Sequence, residues 1–141
     1  MATSDVGKSL RTKLLSYSTI TDLISQRMYP SVLLQNARMP AVVYTKISTR
    51  REHTLSDVTT LAHSRFQFDC YSNTLEEAND IAHAIRRSGI CAYQGTTSGI
   101  YFCGTEVDSG DSYDQEPPSD GNQEHRYITS FDLLVHYQEA A

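Results

Sequence analysis

The chain has 141 residues, 39% of them hydrophobic, with 12 Lys and Arg against 17 Asp and Glu for a net charge of −5. That length suits one domain that buries a core without staples, and no apolar run approaches the roughly 20 residues needed to span a bilayer. Three cysteines (Cys70, Cys91, Cys103) with no CxxC pair argue against a disulfide scaffold or structural zinc.

Residues 5 to about 16 predict a helix. Val6, Leu10 and Leu14 recur at four-residue spacing, while Lys8, Arg11 and Lys13 take the other side. The start of the chain has no hydrophobic signal core, so no export is expected. A short second helix follows, with Ser18 or Thr19 as cap and Ile20, Leu23 and Ile24 inward. Pro30 blocks its continuation and biases Tyr29 to an extended backbone. Residues 41–47, AVVYTKI, read as a strand with a buried centre. Residues 48–61, with Arg50, Arg51 and His53, read as a strand end plus an exposed turn.

Phe66, Phe68 and Cys70 alternate with Arg65, Gln67 and Asp69, the pattern of a half-buried strand. The strongest local signal spans 74–89. Thr74 caps a helix, Glu77 completes a capping box, and Gly89 suits the C′ position. Leu75, Ala78, Ile81, Ala82 and Ile85 form its apolar face. Residues 99–107 predict a third strand, with Ile100, Phe102 and Gly104 on one side. A last strand of about twelve residues alternates Tyr127, Thr129, Phe131, Leu133, Val135 and Tyr137 with Arg126, Ile128, Ser130, Asp132, Leu134 and His136.

Six acids (Asp108, Asp111, Asp114, Glu116, Asp120, Glu124) fall within residues 108–124, which hold no Lys or Arg. Residues 109–124 predict an acidic flexible loop. The remaining body is nearly neutral, which disfavours global attraction to a polyanion. The expected fold is α+β: a mainly antiparallel sheet of about four strands, packed on one side by the N-terminal helix and the central amphipathic helix.

Chemistry is sparse. The five histidines are scattered without HxxxH spacing, Cys70 reads as a small core hydrophobe, and neither GxSxG nor a phosphate-binding glycine pattern occurs. No catalytic residue, cofactor or metal site is expected. A competing reading is a single-stranded nucleic-acid-binding module using Arg50, Arg51 and exposed tyrosines. Residues 1–72 hold nine Lys/Arg against five acids, and aromatics on a sheet can stack bases. The acidic segment has two readings as well: a solubilising insertion, or an arm that orders against a neighbouring copy's Arg50 or Arg51.

Four passages together resemble the tail-completion (tail-terminator) proteins of long-tailed bacteriophages: ITDLISQRMYP (20–30), PAVVYTKIS (40–48), SRFQFDCYSNTLEEANDIAHAIRR (64–87) and YITSFDLLVHYQ (127–138). The most characteristic is R-x-Q-x-D-x-Y on a strand followed directly by the amphipathic helix, here Arg65, Gln67, Asp69 and Tyr71. The resemblance spans nearly the whole chain, residues 1–141 as a single domain, and is weakest over 109–123. It implies a non-enzymatic virion protein of the tail neck, assembled in the host cytoplasm. Its subunits would form a ring, usually a hexamer, on the tail tube protein and join the tail to the head connector or stopper. Genome DNA would pass through without specific binding. Interface candidates are Arg50 and Arg51 toward a neighbour, and Asp111, Asp114, Glu116 and Asp120 in the arm or lumen.

Overall fold

The computed structural model describes residues 6–32, 39–53, 58–97, 100–116 and 126–138, excepting the side chains of 51–53, 58–60, 108–116 and 126. Its elements run α1 (Val6–Leu14), α2 (Ser18–Ile24), β1 (Met28–Pro30), β2 (Ala41–His53), β3 (Val58–Ser72), α3 (Leu75–Arg86), a 3-10 turn (Gly89–Ala92), β4 (Gly95–Thr97), β5 (Ile100–Glu116) and β6 (Arg126–Gln138). The six strands form one sheet in the order β1-β2-β3-β6-β5-β4. All pairs are antiparallel except β1 with β2.

The expected α+β class is therefore right, and the strand count rises from about four to six. The two additional strands are three-residue edges, β1 and β4. They are too short to carry a period-2 pattern, so only pairing to a neighbour defines them.

Alternation places the core. Phe66, Phe68 and Cys70 of β3 and Phe131, Leu133 and Val135 of β6 are all at most 1% exposed. Phe68 stacks on Phe131 with centroids 5.6 Å apart and on Tyr44 at 6.2 Å. Full burial of such a side chain is worth roughly 1.5–3 kcal/mol, an upper estimate because unfolded chains are partly compact. The helices close this core with Val6, Leu10 and Leu14 from α1, Ile20 and Ile24 from α2, and Ile81, Ala82 and Ile85 from α3. Leu75 is 41% exposed and does not join them, because it begins the first turn before the stripe reaches the sheet. No helix among the described residues is long and apolar enough to cross a membrane.

Three polar ties orient the helices. Arg11 turns from the surface of α1 to donate from Nε to the Met28 carbonyl at 2.8 Å and from Nη2 to the Gln26 carbonyl at 3.1 Å. Arg27 Nε donates to the Pro40 carbonyl at 2.7 Å. Thr129 Oγ1, fully buried on β6, donates to Asn79 Oδ1 of α3 at 2.8 Å.

The end of α3 differs from expectation. Arg87 occupies the C-cap, its N–H reaching the His83 and Ile85 carbonyls, and Ser88 Oγ takes the Ile85 carbonyl at 2.7 Å. Gly89 instead opens the 3-10 turn, where a Cβ would come within 3.1 Å of Tyr17 Cε1. A close approach of an aromatic ring, not a C′ conformation, is what its bare Cα accommodates.

Long hairpins are the main correction. β2 continues to His53 and β3 starts at Val58, so most of 48–61 is ladder. β5 runs to Glu116, paired to β6 through Ser112↔Ser130, Asp114↔Ile128 and Glu116↔Arg126. The stretch 109–116 of the expected acidic loop is thus strand, and 117–124 lie outside the described residues. A register shift between Phe102 and Gly104 also moves the alternation by one, so that Thr105, at 6% exposed, takes the inward position expected for Gly104.

Candidate interaction surface

Because Phe66, Phe68 and Cys70 point into the core, Arg65, Gln67, Asp69 and Tyr71 point to the opposite face of β3 and are half-buried there. Ser130, Asp132, Leu134 and His136 of β6 lie beside them in register, with Asp69↔Ser130 and Gln67↔Asp132 directly opposite.

The polar atoms of this face satisfy one another. Asp69 Oδ1 accepts from Gln67 Nε2 at 2.9 Å and from Ser130 Oγ at 2.5 Å. Arg65 Nη1 lies 3.6 Å from Asp132 Oδ2, and His136 Nε2 lies 3.1 Å from Glu106 Oε1. The His63 and His136 rings meet at 5.4 Å. Ion pairs this exposed contribute at most about 1 kcal/mol each. Their effect is to fix the relief of the face: side chains already paired within the subunit present a preset pattern of charge to whatever docks. At the Tyr71 end of the same face, Ala41, Val43 and Ile128 are buried.

Nothing here assembles a reaction centre among the described residues. No group of three His, Cys, Asp or Glu side chains there is placed to hold a metal ion. Cys70 is fully buried in the core. Desolvation pushes the Cys91 thiol above its ordinary pKa, which keeps it protonated and poorly nucleophilic at neutral pH. Tyr44, the tyrosine nearest in sequence to Arg50 and Arg51, is 7% exposed and packed on Phe66 and Phe68, so it offers no face for base stacking, while the exposed Tyr101 (43%) lies across the sheet on β5.

The candidate interface residues separate into two places. Arg50 is exposed on β2 opposite His63, and Arg51 follows opposite Ala62, its side chain outside the described residues. Asp114 and Glu116 sit on β5 opposite Ile128 and Arg126, Asp111 lies in the register shift between Ser109 and Ser112, and Asp120 lies outside the described residues. Across the ladder, Arg50 is level with His63 and Asp114 is level with Tyr71. At about 3.3 Å per residue those levels are roughly 27 Å apart. The basic and acidic candidates therefore occupy opposite edges and opposite ends of the sheet. Sequence reading missed Asp132, Glu106 and His136: outward parity on β6 signals Asp132 and His136, whereas Glu106 turns outward only through the register shift between Phe102 and Gly104.

A family model described as tail completion protein gp17 matches residues 8–88. The chain belongs to that tail-completion family. The matched segment covers α1 through α3 and includes the Arg65–Gln67–Asp69–Tyr71 strand. No curated protein matches the sequence. Among solved structures, this tail-completion chain is similar to a chain of "Virion of native gene transfer agent (GTA) particle", with a TM-score of 0.60 at 9% identity over 94% of this chain and 97% of that one. At that identity the likeness speaks to fold, and it extends the shared architecture through β4–β6, beyond the family match.

Proposed function

We propose that this chain is a structural protein of the phage neck, one subunit of a ring that closes the tail tube and joins the tail to the head connector. The family match over 8–88 carries this reading. Supporting it, a chain of similar fold belongs to a phage-like virion, the gene transfer agent particle. The face built on Arg65, Asp69 and Asp132 suits docking more than turnover, because its polar groups are spent on one another.

Its partners in this reading are copies of itself in a ring, usually a hexamer, with the tube protein below and the connector or stopper above. The residence is the virion, after assembly in the host cytoplasm. The chain is not an enzyme in this reading and needs no cofactor. Genome passage is compatible with the charge: a body near neutrality with an acidic segment holds DNA weakly, since few phosphates are neutralised.

The test is genetic and visual. Particles assembled without this chain are expected to give filled heads and separate tails in electron micrographs, and adding the purified chain should restore joining. Normal virions in its absence would remove the neck role.

A further inference from the structure

The sheet leaves two long edges open. β1 covers β2 only at Val42–Tyr44, and β4 covers β5 only at Ile100–Phe102. Among the described residues, 45–53 of β2 and 103–116 of β5 have no strand on their outer side. Their backbone N–H and C=O groups form a template for another strand.

The two edges complement each other in three respects. The first is charge: residues 45–51 carry Lys46, Arg50 and Arg51, and the stretch of β5 level with them, 102–109, carries Glu106 and Asp108 with no base. Asp111, Asp114 and Glu116 lie level with positions at and before Tyr44. Like edges repel, so two β5 edges or two β2 edges pair poorly, and unlike edges attract. The second is apolar surface. Ile47 is 51% exposed and Val107 is 42% exposed, one on each free edge. Val107 is level with Lys46, the neighbour of Ile47, because Val107 pairs with Leu133, Leu133 with Phe66, and Phe66 with Lys46; Ile47 itself lies in the register shift that follows. The third is direction. Successive antiparallel pairs from β2 through β3 and β6 make β5 run opposite to β2.

We infer that copies of this chain join edge to edge, the free part of β5 in one copy pairing antiparallel with the free part of β2 in the next. The contact is head to tail, each copy using two different patches, which is the requirement for a ring. The inference deepens the neck reading and rests on it only for closure of the array.

The experiment uses full-length protein in a Cys91→Ser, Cys103→Ser background, with Ile47→Cys in one preparation and Val107→Cys in another. Both positions are exposed, so each variant is expected to keep the wild-type circular dichroism. A short bismaleimide should give a covalent dimer when the two are mixed at high concentration, and none from either alone. Added salt should lower the yield, since opposite charges select the contact. A chain carrying both cysteines should give a ladder of multimers. Crosslinks between like cysteines would show a two-fold contact and overturn the inference, as would absence of the mixed crosslink both in concentrated solution and in assembled particles. The neck reading is separable: rings present in particles without the mixed crosslink remove edge pairing alone, and mixed crosslinks from a chain absent from particles remove the neck role alone.

Discussion

Ser72, the last residue of β3, donates from Oγ to Oε1 of Glu77 in the first turn of α3 at 2.6 Å. Ser72 is fully buried, and its Oγ also lies 3.4 Å from the Thr74 N–H, while Thr74 Oγ1 accepts from the Glu77 N–H at 3.2 Å. The strand end and the helix start are thereby locked through two side chains.

Removing that carboxylate leaves a buried hydroxyl short of its acceptor and strips charge from the positive end of the helix dipole. We predict that Glu77→Ala costs about 1–2 kcal/mol in urea unfolding and that Glu77→Gln costs less. A Glu77→Ala midpoint equal to wild type would show that the lock contributes nothing.

Arg11 is the second target. Its two donors reach the carbonyls of Met28 and Gln26, and a fork of this kind is not reproduced by an ammonium. Arg11→Ala is predicted to lower stability by roughly 1–3 kcal/mol, with Arg11→Lys recovering less than half. Full recovery by lysine would mean that charge alone matters there.

Tyr17 supplies a pH test. Desolvation first, then the proximity of Tyr93 and Cys91, raises its pKa above the ordinary 10.0. The fold therefore prefers the protonated phenol. Its contribution is complete below the unfolded pKa and is lost as pH rises through the higher folded value. The stability advantage of wild type over Tyr17→Phe should hold up to the ordinary tyrosine pKa and shrink as pH rises above it through the higher folded value. An advantage that stays constant across that window contradicts the assignment.

Arg50 and Arg51 bear on assembly more than on folding. Arg50 is exposed and level with His63, away from the sealed core. Reversing both to Glu should leave circular dichroism unchanged and weaken ring assembly or tail joining. Unaltered joining by the double variant would take both residues off the interface.

The sequence was most legible where side chains carry the information. β6 alternates as read from Thr129 to Tyr137, though Ile128 before it is buried as well, and α3 starts at Thr74 with its cap as expected. The capping box is only half formed, since the Glu77 side chain turns to Ser72, a partner from the strand before the cap. Extended β2, β3 and β5 were under-read for a shared reason. Beyond the core their residues are Ser, Thr, Arg and Asp, and what holds them in line is a ladder to a neighbour far along the chain. The surface followed the same rule: the outward parity of Arg65 and Asp69 was visible, but their pairing with Asp132 and Ser130 depends on the register of β3 against β6.

That β3–β6 register has a kinetic side. β2 with β3 and β5 with β6 are hairpins closed by short connections, whereas Ser64 reaches Tyr137 across 73 positions, their hydroxyls 3.0 Å apart. Ordering so large a loop costs entropy before any contact repays it, so the two hairpins can form early while their docking sets the pace of folding. Until that seam shuts, the aromatic faces of Phe68 and Phe131 stand open to water, and a newly made chain is most prone to aggregate during that interval.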